Sequence, residues 1–489
     1  MLASEVTPFA KTGGLADVAG ALPKVLHEMG HDVRVIMPRY GSISERKFVL
    51  RDVIRLKEIP VQMGDNEYVT SVKSAFIPDS KVQVYFLEYK PLFGRNELYV
   101  DSETGTDFYD NAHRFMLYCR AVLATIKLLH WKPQVIHSHD WQAALVPWLL
   151  KHDFADDPFF DETASLLSIH NMAYQGSFSS DLLEEIGLPD SLREKSEELD
   201  KAGNINFLKA GILSADAIAT VSPTYSQEIQ TSDDMGAGLR DVLIQRKEDI
   251  YGILNGVDYD VWNPEMDTFI KKNYGADSLE DKAENKKDIL EKAGLPFEPE
   301  TPLVGIISRL AEQKGFDLIE QAIEQMMNLG IQLVVLGTGE PKYHKLLKDI
   351  SQKYNNKVKV FLTFSEELAH QIEAGSDIFL MPSRFEPSGL NQLYSLQYGT
   401  IPVVRKTGGL ADTVTDFVSN PEKGNGFVFE EYAPNAMLAA LQNAVKTFSD
   451  KKTWTAIQKR GISADYSWYK SSENYIELYK KVIQKKKTL

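Results

Sequence analysis

One cysteine, Cys119, stands in 489 residues, so the chain can form neither an internal disulfide nor a cysteine-rich metal cluster. A reducing, cytoplasmic setting is the reading that follows. No apolar run approaches the length of a bilayer-spanning helix, and the N-terminus lacks a basic stretch followed by a long apolar one, so no membrane partner is expected. Basic excess is missing too. The net charge is −15, which opposes attraction to nucleic acid or to an anionic membrane surface, although a local basic pocket can sit inside an acidic protein. What is present is ordinary globular composition, 43% hydrophobic and 25% charged, in a chain too long for one core.

Short β-branched runs alternate with longer amphipathic segments, the pattern of parallel sheets covered by helices. Strands are expected at Val33–Met37, Val82–Leu87, Val135–Ser138, Ala164–Ile169 and Ala217–Ser222. A second series is expected at Leu303–Ser308, Ile331–Leu336, Val358–Phe364, Ile378–Met381, Pro402–Val404 and Gly426–Phe429. The turn-rich stretch from Tyr251 separates the two, giving domains at 1–250 and 251–462 and a helical tail at 463–489. Along that tail Trp468, Tyr469, Tyr475, Ile476, Tyr479 and Val482 form an expected buried stripe, and Lys485–Lys487 an expected solvated end. Met1–Ser4 reads as the last part of a strand, which would leave that strand short of ladder bonds.

Open parallel sheets bind ligands where the carboxyl ends of their strands meet loops and helix N-termini. The unusual residues of this chain lie at those ends. Lys-Thr-Gly-Gly-Leu-Ala-Asp occurs twice, at Lys11–Asp17 and Lys406–Asp412. In the first copy Gly13 and Gly14 precede a helical pattern, so their amides can approach a phosphate while Lys11 adds positive charge; a plain glycine turn starting a helix is the alternative. Arg309 and Lys314 follow a strand five residues apart and suit a pyrophosphate leaving group, against the alternative of surface ion pairs. Glu386-Pro-Ser388-Gly389-Leu390-Asn391 places a carboxylate ahead of a glycine and a helix. The amides after Gly389 can hold a phosphate and Glu386 can accept from sugar hydroxyls, unless it serves only as a helix cap.

His170 with Asn171 and Gln175-Gly176 suggests a polar pocket rather than a lone core histidine. His137, His139 and Asp140 carry ligand-type side chains, but strand alternation is expected to send them to different faces, and no metal site is expected. Gly337-Thr338-Gly339 lacks the third glycine of a dinucleotide loop, with Lys342 in its place. Together these residues imply an α/β enzyme gripping an anionic, phosphate-bearing small molecule in a cleft between two halves.

Lys11–Asp17, His139-Asp140-Trp141, His170–Gly176, Ile253–Asp258, Ser308–Gly315 and Ser383–Leu393 resemble, in order, the motifs of the bacterial glycogen synthase and plant starch synthase family. The resemblance spans nearly the whole chain. It implies two Rossmann-like domains facing across a cleft (the GT-B type), a C-terminal helix crossing back to the first domain, and no cofactor or metal. It also implies retaining transfer of glucose from ADP-glucose to the non-reducing 4-hydroxyl of an α-1,4-glucan. Carried over by residue, Lys11 and Gly14 approach the donor, Arg309 and Lys314 neutralise its diphosphate, Glu386 and His170 contact the transferring glucose, and Asp140 and Asn255 matter for activity. Three positions are less usual. Ser388 stands where cysteine is frequent, Phe364 where a tyrosine often stacks on adenine, and Tyr394 where the wider group has a second glutamate.

Two other functions fit parts of the pattern: a glycoside hydrolase using Glu386 and Asp140, and a glucan-binding scaffold without turnover. No second carboxylate is placed as a nucleophile, so retention without a covalent intermediate is expected, with domain closure gating the reaction.

Overall fold

The computed structural model describes residues 1–189, 192 and 197–488. Two compact units divide the chain. The first comprises Met1–Val221, Ser226–Ile253 and Trp468–Leu489, and the second Ser222–Tyr225 with Leu254–Ser467.

In the first unit, β1 (Arg34–Pro38), β2 (Ile59–Met63), β3 (Asn66–Phe76), β4 (Gln83–Glu88), β5 (Val135–His139), β6 (Ala164–Ile169), β7 (Ala217–Thr220) and β8 (Ile250–Gly252) follow in chain order. Strands β5, β6, β7 and β8 are parallel neighbours, and β1 pairs parallel with β4. The N-terminal segment joins the two sets. Leu2 forms parallel bridges to Ile36 and Ser138, with its N–H on the His137 carbonyl at 2.8 Å and its carbonyl receiving the His139 N–H at 3.0 Å. Leu2 and Ala3 are buried, so this short ladder occupies a central position, with bridges at Leu2 alone.

Every residue of β6 is buried, as a continuous apolar run predicts for a strand covered on both faces. The antiparallel extension formed by β2 and β3 beside β4 was not among the expected strands. In β2 the apolar residues Ile59, Val61 and Met63 alternate with the exposed Pro60 and Gln62, a half-buried pattern unlike the parallel runs.

The C-terminal helix Trp468–Thr488 buries Trp468, Tyr475, Leu478 and Val482 against Val18, Leu22, Leu26 and Leu166 of the first unit. Tyr469, expected in the stripe, is exposed: one residue beyond Trp468 turns it about 100° away from the buried face. Lys485 also departs from expectation, because its ammonium pairs with Asp249 and bonds to the Asp216 carbonyl at 2.8 Å.

The second unit contains β9 (Leu303–Ile307), β10 (Gln332–Leu336), β11 (Val358–Phe361), β12 (Ile378–Met381), β13 (Ile401–Arg405) and β14 (Phe427–Phe429). All are parallel, in the order β11-β10-β9-β12-β13-β14. Strand order therefore reverses between β9 and β12. The loops leaving these two neighbours diverge, and this is where an open α/β sheet receives its ligand.

Candidate active site

The segment after β9 carries Arg309 and Lys314, and the segment after β12 carries Ser383 to Glu386. The structure brings Lys314 and Glu386 together: the ammonium lies 2.7 Å from Oε2, and the Ser383 hydroxyl donates to the same oxygen at 3.0 Å. Only 7% of the Glu386 side chain is exposed, and 19% of that of Lys314. Glycine makes the approach possible. Gly315 has φ +74° and a Cβ there would lie 2.0 Å from the Pro382 carbonyl oxygen, so the turn after Lys314 rests directly on the segment leading to Glu386. Arg309 is exposed and forms no ion pair among the described residues.

Glu386 is not a helix cap. Helix Asn391–Gln397 starts at Leu390 without a side-chain cap, and the N–H groups of Leu390 and Asn391 bond to no acceptor among the described residues. Asn391 instead donates its side-chain amide to the Ile307 carbonyl at 2.6 Å, tying this helix to the end of β9. Gly389 takes φ +65°, and Ser388 is buried beside it.

The second heptapeptide packs behind this loop. The Gly409 N–H donates to the Glu386 carbonyl at 3.1 Å, and Cβ atoms on Gly408 or Gly409 would stand 2.0 Å from the Glu386 oxygen or 1.9 Å from that of Ser388. Lys406 pairs with the exposed Glu430. This copy therefore supports the loop that carries Glu386.

The first heptapeptide has another setting. Gly13 caps helix Gly14–Glu28 in extended geometry, and a Cβ on it would meet nothing within 4 Å among the described residues. The Gly13 N–H, expected to face a ligand phosphate, donates to Glu5 Oε2 at 3.1 Å; the Thr12 N–H reaches the same oxygen. Glu5 also receives the Thr12 hydroxyl at 2.7 Å and the Tyr99 hydroxyl at 2.9 Å. The N–H groups of Gly14 and Leu15 bond to no acceptor among the described residues. Lys11 pairs with Asp17 at 2.6 Å. Sequence reasoning passed over Glu5 and Tyr99. Glu5 had a signal in its position, at the exit of the central N-terminal segment.

His139 ends β5, and Asp140 follows with φ +55°, a left-handed backbone unusual for a residue with a side chain. That turn sends the Asp140 carboxylate to the His170 N–H at the exit of β6, 2.7 Å away. Burial pushes the Asp140 carboxyl up to about 7; the N–H groups of His170 and Asn171 oppose the rise and the Glu5 carboxylate adds to it. The His170 ring meets His139 at 3.0 Å between Nε2 and Nδ1. Burial brings His170 down to about 4 and holds His137 and His139 well below the ordinary histidine range.

His137 and His139 share a face, with ring centroids 4.1 Å apart, contrary to the expectation that alternation would separate them: two residues along a strand restore the same side. No group of three or more potential ligands able to hold a metal occurs among the described residues.

The remaining expected residues are more scattered. Asn171 accepts the Ala173 N–H at 3.0 Å with its side-chain oxygen. Asn255 is buried in the second unit, its side-chain oxygen without a partner among the described residues. Phe364 lies beyond β11, which ends at Phe361 rather than running on, and the residue is 80% exposed.

A family model described as the starch synthase catalytic domain matches residues 1–245, and one described as glycosyl transferases group 1 matches residues 288–461. The chain is 46% identical to a glycogen synthase of Geotalea daltonii over 99% of both chains, and 44% identical to glycogen synthase 2 of Geobacter sulfurreducens over 98% of both. Among solved structures, the catalytic domain of starch synthase IV from Arabidopsis thaliana, bound to ADP and acarbose, superposes with a TM-score of 0.90 at 34% identity, covering 99% of this chain and 98% of that one. A sucrose-phosphate synthase from Thermosynechococcus elongatus, 17% identical, shares the fold with a TM-score of 0.60 over 99% of this chain and 96% of that one.

Proposed function

The chain belongs to the glycogen synthase and starch synthase family of glycosyltransferases, and from that premise we propose that it moves glucose from ADP-glucose to the non-reducing 4-hydroxyl of an α-1,4-glucan, retaining the anomeric configuration. The observation that carries the reading is the Lys314–Glu386 pair at the switch point of the second sheet, with the exposed Arg309 on the same loop as Lys314. A diphosphate reaching this edge takes Lys314 as its counter-ion and releases the Glu386 carboxylate to accept hydrogen bonds from sugar hydroxyls. As the bond from the anomeric carbon to the diphosphate breaks, negative charge gathers on the leaving oxygen, where Arg309, Lys314 and the open amides of Leu390 and Asn391 stabilise it.

In the first unit His170 contacts the transferring glucose, and the Asp140 carboxylate holds its main chain. Lys11, with Gly14, meets the donor by exchanging Asp17 for a ligand oxygen. Phe364 offers an exposed ring face on which the base can stack. Retention proceeds without a glucosyl-enzyme. Glu386, once released by Lys314, is taken up by the sugar hydroxyls, and Asp140 by the His170 N–H, which leaves neither as a nucleophile. The ADP of the Arabidopsis structure and the names of the relatives support the donor and acceptor. No helix among the described residues is long and apolar enough to cross a membrane. We place the activity in the cytoplasm, in keeping with the single, buried thiol of Cys119.

Donor competition tests the assignment. With ADP-glucose and UDP-glucose offered together, glucan should gain glucose chiefly from the adenine nucleotide; preferential use of UDP-glucose would overturn it.

A further inference from the structure

The contact between His139 and His170 settles more than a ring orientation. Burial keeps both imidazoles neutral at ordinary pH, so across the 3.0 Å from His139 Nδ1 to His170 Nε2 one ring donates and the other accepts. Two arrangements are available. If His170 donates from Nε2, then His139 accepts at Nδ1 and must carry its own proton on Nε2. That atom is buried and has no partner among the described residues, so the arrangement would bury an N–H with nothing there to receive it. If His139 donates from Nδ1, its Nε2 is only an unpaired acceptor, and unpaired buried acceptors are better tolerated than unpaired donors.

We propose that His139 is a positioning residue that locks His170 into the tautomer protonated on Nδ1, so that His170 presents an N–H donor, rather than a lone pair, to a hydroxyl of the transferring sugar. The His170 Nδ1 atom makes no hydrogen bond among the described residues and is free for this use. The rest of the surroundings holds the pair still. The His139 ring lies against His137, whose nitrogens are fixed by the Tyr479 hydroxyl at 2.8 Å and the Ser168 hydroxyl at 2.7 Å. The His170 main chain is fixed by Asp140. Tyr479 brings the C-terminal helix into this chain of contacts. The role in catalysis rests on the proposed glucosyl transfer, whereas the tautomer does not.

The test uses the full-length chain labelled with ¹⁵N in histidine. Long-range ¹H–¹⁵N correlations distinguish protonated from bare ring nitrogens, and the signals of His170 are those lost in His170→Gln. The wild type should show His170 protonated on Nδ1 and bare on Nε2. In His139→Phe, which cannot donate, the proton should redistribute towards Nε2, and kcat should fall on the order of tenfold to a hundredfold, as for other residues that orient a functional histidine. His139→Asn places an amide N–H near the original Nδ1 and should restore both the tautomer and most of the rate.

A wild-type His170 protonated on Nε2 would overturn the proposal. So would a His139→Phe enzyme with unchanged tautomer and rate, or a folded His139→Asn enzyme as slow as His139→Phe. Should His139→Phe fail to fold, the wild-type spectrum and His139→Asn decide the matter. A wild type that transfers no glucose yet shows the expected tautomer would count against the proposed function and leave the assignment standing.

Discussion

Removing the Lys314 ammonium should damage rate and stability by separable amounts. The Glu386 carboxylate it neutralises is 7% exposed and, among the described residues, keeps only the Ser383 hydroxyl when Lys314 is cut back to methionine. Breaking a buried pair costs about 3–5 kcal/mol. Because 19% of the Lys314 side chain reaches solvent, screening reduces that to roughly 2–3 kcal/mol. For a unit of this size the loss lowers the unfolding temperature by roughly 4–12 °C. The catalytic loss has a different origin. A missing preorganised charge at the leaving group costs about 3 kcal/mol of barrier, a rate decrease on the order of a hundredfold.

The double variant Lys314→Met/Glu386→Gln separates the two. With no charge left unpaired it should regain most of the lost stability, and with neither functional group present it should be no faster than Lys314→Met. ADP release with ADP-glucose and glycogen measures the rate, and thermal unfolding the stability. A Lys314→Met enzyme within about fivefold of wild type, or a double variant that recovers the rate, would show that the cation does not serve the leaving group.

Three further outcomes are expected. Since burial puts the Asp140 carboxyl at about 7, kcat should rise with pH through that value as the anion that holds the His170 main chain forms, and Asp140→Asn should be slow with that limb gone. The sign for stability is opposite: an acid whose folded pKa is raised above the ordinary 3.8 favours the folded state below about 4 and loses that contribution as pH rises through 7, so the gain in unfolding temperature of Asp140→Asn over wild type should be largest above pH 7. Gly408→Ala, with its Cβ 2.0 Å from the Glu386 oxygen at φ +44°, should cost about 1–3 kcal/mol in denaturant unfolding and lower the rate, whereas Gly13→Ala should stay within about 0.5 kcal/mol of wild type because nothing lies within 4 Å.

Much of the parallel architecture was written in its apolar runs. The strand expected at Ala164–Ile169 has those bounds, because a strand buried on both faces needs an unbroken apolar sequence. The antiparallel insert escaped notice for the complementary reason: Ile59–Met63 is buried on one side only, and Pro60 and Gln62 interrupt the run. The charges of the second unit were found by their position at strand ends, but not their pairing. Arg309 and Lys314 looked equivalent, while only Lys314 is folded back onto Glu386 by the turn at Gly315.

In the first unit the glycine pair read as open phosphate-binding amides, although Glu5, six residues before Lys11, already takes the Gly13 N–H. The position of Glu5 at the exit of the central N-terminal segment is the one signal, and no local pattern announces which amides its carboxylate takes. The repeated heptapeptide shows the same limit. Identical residues stand in open space at Gly13 and against a carbonyl at Gly408, and only tertiary packing tells them apart.

The central claim is glucosyl transfer, and product analysis with glucose-labelled ADP-glucose and maltooligosaccharides tests it most directly. The expected result is stoichiometric release of ADP with label at the non-reducing end, in α-1,4 linkage. Free glucose released from glucan without any nucleotide, or bound glucan with no label incorporated, would contradict it.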